Sequence, residues 1–120
     1  MARTPHVALA SVALAAMVLL AGCGDETKTD HLSVENGPVA GGNGIAPEKL
    51  ETETGNTVEI EVKNTAPDKA HGFSIDEFKV AETIDQGKTA TVRFTASKAG
   101  TYRVYCQIHP THKPAELVVS

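Results

Sequence analysis

The sequence predicts an all-β fold, a single β-sandwich, and three observations carry that reading. Apolar residues alternate with polar ones in short runs: Val58-Ile60-Val62, Ala90-Val92-Phe94 and Tyr102-Val104-Cys106. A period of two is the signature of strands with one face in a core. Turn-forming clusters separate the runs, at Thr54-Gly55-Asn56, Gln86-Gly87-Lys88 and Ser97-Lys98-Ala99-Gly100. No amphipathic helix of ordinary length is visible, and short strands between turns close as a sandwich. A chain of 120 residues has room for one domain. With no Trp and three Phe, its core relies on Val, Ile, Leu and Ala.

Taken in order, residues 1–22 form a leader. Arg3 precedes a 14-residue apolar run, Val7–Leu20, and small residues follow. That is the layout of an export signal. A membrane span needs about 20 apolar residues, and this run is shorter. Leu20-Ala21-Gly22-Cys23 resembles the bacterial lipobox, which implies cleavage before Cys23 and a lipid on its sulfur. The mature protein is then exported and anchored to a bacterial membrane, on its periplasmic or extracytoplasmic face. Residues 23–46 are rich in Gly, Asp, Glu, Thr and Asn and read as a flexible tether. His31–Val34 is compatible with a short first strand, and His31 reads as a solvated linker histidine. The domain is expected over residues 47–120.

Inside it, Val58–Lys63 is a strand with one wet face. Asn64–Lys69 is a polar loop, and His71–Ile75 re-enters a strand. Asp76–Asp85 fits no clear element, although Phe78, Val80 and Ile84 can pack across the sandwich. Ala90–Thr95 is a strand, Thr101–Cys106 another, and Leu117–Val119 closes the sheet. Tyr102, just after Gly100, is expected to pack on the core and to spend its hydroxyl on one hydrogen bond.

The chemistry gathers in Cys106-x2-His109-x2-His112. One thiol and two imidazoles on a tight loop can converge on one metal ion. Thiolate with imidazole suits zinc or copper, not magnesium or calcium. His71 is the one further histidine inside the domain, and it opens a strand after a polar loop. Pro110 and Pro114 stiffen the loop around His112. His112 reads either as a fourth ligand or as a solvent-facing loop histidine. If Cys23 carries lipid, Cys106 has no disulfide partner in an exported protein, and a metal accounts for that leftover thiol.

A Cys, a nearby His and a distant His on an earlier strand resemble the cupredoxin constellation. The loop Cys106-Gln107-Ile108-His109-Pro110-Thr111-His112 is similar to the short ligand loop of amicyanin, with His112 where that group has its axial Met. A wider likeness, over roughly residues 47–120, is to nitrosocyanin. It rests on His71-Gly72-Phe73-Ser74-Ile75-Asp76, Phe94-Thr95-Ala96, Lys98-Ala99-Gly100 and Cys106-Gln107-Ile108-His109-Pro110. Nitrosocyanin has a glutamate ligand where this chain has His71, and its second loop histidine lies further from the first. The resemblance implies a Greek-key β-sandwich and one mononuclear copper ion. The ligand set expected here, His71, Cys106 and His109 with His112 as the fourth candidate, is a hybrid of the two. Many cupredoxins brace the site with a polar residue after the first His, but here that position is Gly72.

The function implied is electron transfer with a redox protein partner, without enzymatic activity. Two other classes stay open. A copper carrier or buffer would favour a Met-rich exchangeable site, but Met1 and Met17 both lie in the leader. Small-molecule redox chemistry, with nitric oxide the substrate nitrosocyanin implies, needs an open coordination position. A structural zinc site with one Cys and three His is the non-redox reading. A Cys–His hydrolase lacks a third orienting group and an oxyanion hole. Without Arg3, ten basic residues face 15 acidic ones, a net charge of −5. That argues against nucleic acid, which needs clustered positive charge.

Overall fold

A computed structural model describes residues 27–120. The leader, residues 1–22, and the lipidation candidate Cys23 lie outside the described residues. Nine strands follow in order: β1 Thr29–Val39, β2 Gly42–Ala46, β3 Lys49–Thr52, β4 Thr57–Asn64, β5 His71–Ile75, β6 Val80–Ile84, β7 Thr89–Thr95, β8 Gly100–Val104 and β9 Ala115–Val119. One sheet runs β2-β1-β4-β7. The other runs β3-β9-β8, and a bridge between Ser74 and Tyr105 joins it to the pair β5-β6. The expected all-β sandwich is what forms.

The alternating residues explain why the sheets face each other. Leu32, Ile60 and Val92 line up across β1, β4 and β7, and Val34, Val62 and Ala90 form the next row. Phe73, Ile75, Val104 and Leu117 meet them from the second sheet, all fully buried. Each such side chain contributes about 1.5–3 kcal/mol by leaving water. Tyr102 sits at the core's edge as expected. Its hydroxyl donates to the Lys98 carbonyl at 2.7 Å, and its ring lies edge-on to Phe78 at 4.8 Å.

Over residues 29–46 the sheet corrects the reading of residues 23–46 as a tether. β1 runs parallel to β4, pairing Thr29–Asn36 with Thr57–Asn64, and β2 folds back on it. The domain therefore takes in residues 29–46 as well as 47–120. The physical reason is composition. Only Leu32 and Val34 of the inward row are apolar, the next inward residue is the fully buried Asn36, and Gly37 and Pro38 follow. A polar residue in the inward row hides the period. Asp76–Asp85 resolves into a 3-10 turn over Asp76–Phe78 and then β6, whose buried residues are Val80 and Ile84 alone.

Asp30 ties the start of β1 to the rest. Its carboxylate accepts from Thr52 Oγ1 at 2.5 Å and from Asn56 Nδ2 at 3.0 Å. The Thr52 hydrogen bond foremost, then the one from Asn56, holds Asp30 below the ordinary aspartate range. A depressed carboxylate stabilises the fold above the unfolded-state pKa and loses that contribution as pH falls through the folded-state value. Melting temperature should therefore fall less steeply on acidification in Asp30→Asn than in the unaltered protein. Parallel melting curves from pH 7 to pH 3 check this.

The fold brings four segments to one end of the sandwich. β5 starts at His71, and Tyr105 leads from β8 into Cys106. Ser74 and Tyr105 exchange backbone hydrogen bonds of 2.8 and 3.1 Å, which fixes one against the other. At the far side of the loop, Lys113 donates to the Asn43 carbonyl at 2.9 Å. Lys113 also bridges Gly44, where a Cβ would lie 2.8 Å from the Lys113 carbonyl oxygen. Only glycine allows β2 to come that close.

Candidate metal centre

The loop after Cys106 turns twice. The His109 amide donates to the Cys106 carbonyl at 3.2 Å, and the His112 amide to the His109 carbonyl at 3.0 Å. Hydrogen bonds of this i to i+3 kind give about three residues per turn, so side chains three apart eclipse. The spacing Cys-x2-His-x2-His therefore puts all three donors on one face. His71 meets them from β5. One donor atom from each of His71, Cys106, His109 and His112 can be chosen so that all lie within 4.8 Å of one another. Cys106 Sγ is 3.5 Å from His109 Nδ1 and 4.0 Å from His71 Nδ1. Ring centroids of the three histidines are 4.6 to 5.1 Å apart.

Burial grades across the cluster. His71 is 0% exposed and Cys106 1%, whereas His109 and His112 are half-buried. Burial pushes His71 below the usual histidine range, helped by His112, His109 and Lys69. Burial likewise lowers His112, with His109 and Lys69 adding to it. A neutral imidazole carries the lone pair that a metal needs. His71 Nε2 and His112 Nδ1 are buried without any hydrogen-bond partner. Unpaired buried polar atoms are costly, and three crowded imidazoles beside a thiol are what a cation relieves. The residues present fit a single zinc or copper ion.

All four sequence candidates are brought together. His112 turns toward the cluster rather than to solvent, with its ring stacked on His109. His31 is elsewhere: its Nδ1 lies 3.1 Å from Glu59 on the outer face of the first sheet. Arg93 holds the same carboxylate at 2.6 Å.

The supports of the site were missed in the sequence. Asn36 Nδ2 donates to the Gly72 carbonyl at 2.6 Å, from a segment read as tether. The Gly72 amide donates to Cys106 Sγ at 3.1 Å. Gln107 Oε1 accepts from Ser74 Oγ at 2.8 Å, and Gln107 Nε2 donates to the Glu82 carbonyl at 3.0 Å. Gln107 was the one legible signal, a carboxamide inside the ligand loop.

Comparison with known proteins agrees with this geometry. A family model described as a cupredoxin-like domain matches residues 9–119. Cytochrome c oxidase subunit 2 of Thermus thermophilus is 35% identical over 63 residues, which cover 52% of this chain and 45% of that protein. The match thus spans less than half of that relative's length. The metal-binding domain of the Cu(I)-exporting P-type ATPase of Streptococcus pneumoniae superposes with TM-score 0.67 at 17% identity, covering 79% of this chain and 89% of that one. Reduced auracyanin from Roseiflexus castenholzii gives 0.63 at 19%, covering 75% and 96%.

Proposed function

The chain belongs to the cupredoxin-like family, and from that premise we propose that it is a membrane-anchored copper protein that carries single electrons. The metal is one copper ion. The observation that carries the reading is the meeting of His71 with Cys106, His109 and His112 at one end of the sandwich. Those four residues would hold the ion: the resemblance to the cupredoxin constellation supports His71, Cys106 and His109, and His112 joins them in the same cluster. Bound copper supplies a one-electron couple whose potential the ligands set.

The chain's part is to keep those ligands still. His71 is locked at the start of β5 and Cys106 lies two residues beyond the end of β8, and the Ser74–Tyr105 bridge joins the two. Ligands that cannot move give both oxidation states nearly one geometry, so little reorganisation opposes the electron. Ile108, beside His109, is 43% exposed and is the exposed large apolar side chain among the described residues. A redox protein docking there would come within reach of the half-buried His109. Four protein donors leave no coordination position for a substrate, which favours a carrier over an enzyme.

The anchor rests on Leu20-Ala21-Gly22-Cys23 and on export of the chain. Among the described residues no helix is long and apolar enough to cross a membrane. The lipid on Cys23 would carry several acyl chains, because one alone binds only marginally. Cys23→Ser should release the protein from membranes into the soluble fraction and leave its copper spectrum unchanged. Loss of colour in that variant would reverse the roles of the two cysteines.

Electron carriage is tested by comparing two rates in the copper-bound protein. Electron exchange with a small redox dye should be complete well before copper passes to a chelator. Copper release as fast as electron exchange would make this a copper carrier.

A further inference from the structure

Gly72 is held on three sides. Its carbonyl accepts from Asn36, its amide donates to Cys106 Sγ, and its Cα faces the Gln107 side chain. A Cβ at Gly72 would stand 2.5 Å from Gln107 Cδ and 2.9 Å from Nε2. The carboxamide thus fills the space that a side chain at position 72 would take. It is pinned there at both ends, by Ser74 from β5 and by the Glu82 carbonyl from β6. Gln107 is also the covalent neighbour of Cys106. A side chain anchored on β5 and β6 therefore fixes the backbone carrying the thiol against the strand carrying the amide.

We propose that Gln107 is a positioning residue for the metal: its carboxamide, seated on Gly72, holds Cys106 Sγ on the Gly72 amide and so sets the reduction potential of the site. The potential part rests on the copper reading above; the hydrogen-bond part does not. An N–H donor draws charge from a metal-bound sulfur and favours the reduced state, which carries one positive charge fewer. A hydrogen bond to a charged group is strong enough for about a tenfold change in an equilibrium constant. Loosening Gln107 should weaken that bond without breaking the sandwich, whose core rows lie elsewhere.

The test has two arms on the full-length protein. The first is amide hydrogen exchange by NMR in the metal-free state. In Gln107→Ala the Gly72 amide should exchange at least about tenfold faster, while the Ile60 amide, in the central strand β4, keeps its rate. Unchanged exchange at Gly72 overturns the proposal. So does equal acceleration at both amides, which would mark Gln107 as a merely structural residue. The second arm is voltammetry of the copper-bound protein. Gln107→Ala should lower the potential by about 59 mV, the equivalent of a tenfold change for one electron. Gly72→Ala should also lower it, because its methyl displaces the carboxamide. The same change made in Gln107→Ala should have little further effect, since the space is then empty. Additive shifts in the double variant would overturn the proposal. A wild-type protein without a thiolate-to-copper absorption band would sink the copper reading alone; the exchange arm would still decide the role of Gln107.

Discussion

Cys106→Ser is expected to abolish the intense thiolate-to-Cu(II) absorption of the copper-bound protein and to weaken copper binding severely. A serine hydroxyl is harder than a thiol and far less readily ionised, so it offers copper neither the charge nor the covalency of sulfur. Loss of an outer partner around a metal costs roughly 10–100-fold in affinity, and loss of a ligand should exceed that. The fold should survive. Cys106 sits beside the core cluster rather than within it, and the Gly72 amide that pairs with its sulfur at 3.1 Å can donate to an oxygen instead. Visible absorption, a copper titration and a melting curve on the one variant separate these effects. A retained band would remove Cys106 from the site.

His112→Met is the second large effect. The loop's two turns place His112 on the face shared by Cys106 and His109, and its ring centroid is 5.1 Å from that of His71. An imidazole is a better donor to Cu(II) than a thioether. As a fourth donor His112 would weaken the copper–sulfur bond and favour Cu(II) over Cu(I), which would lower the potential. The unaltered site should therefore be green or red. His112→Met should turn it toward blue and raise the potential by one or more steps of about 59 mV, each a factor of ten for one electron. Paired spectra and voltammograms check this. Identical traces would mean that His112 holds no metal.

Particular residues show what could be read in advance. Val58, Ile60 and Val62 announced β4 because each faces the core and each outward neighbour is polar. The same regularity placed β7 and β8. The ligand loop was legible because three donors at a spacing of three share one face of a tight turn. β1 was legible only at His31–Val34, because beyond it Asn36 stands where the pattern needs an apolar residue. Asn36 is there to hold the Gly72 carbonyl, so a supporting residue of the site erased the signal of its own strand. β6 was ambiguous for a different reason: an edge strand with three exposed residues between Val80 and Ile84 shows no alternation. The missing brace after His71 was read correctly as a glycine. That Gln107 occupies the vacated space depends on a contact between β5 and the loop, which no local pattern encodes.

The most direct test is the visible spectrum of the purified protein, taken with metal analysis after exposure to copper and zinc together. One copper per chain is expected, with an intense thiolate-to-Cu(II) band that has a strong short-wavelength component and is bleached reversibly by one electron. A colourless protein that keeps one zinc and rejects copper would instead make this a structural zinc site.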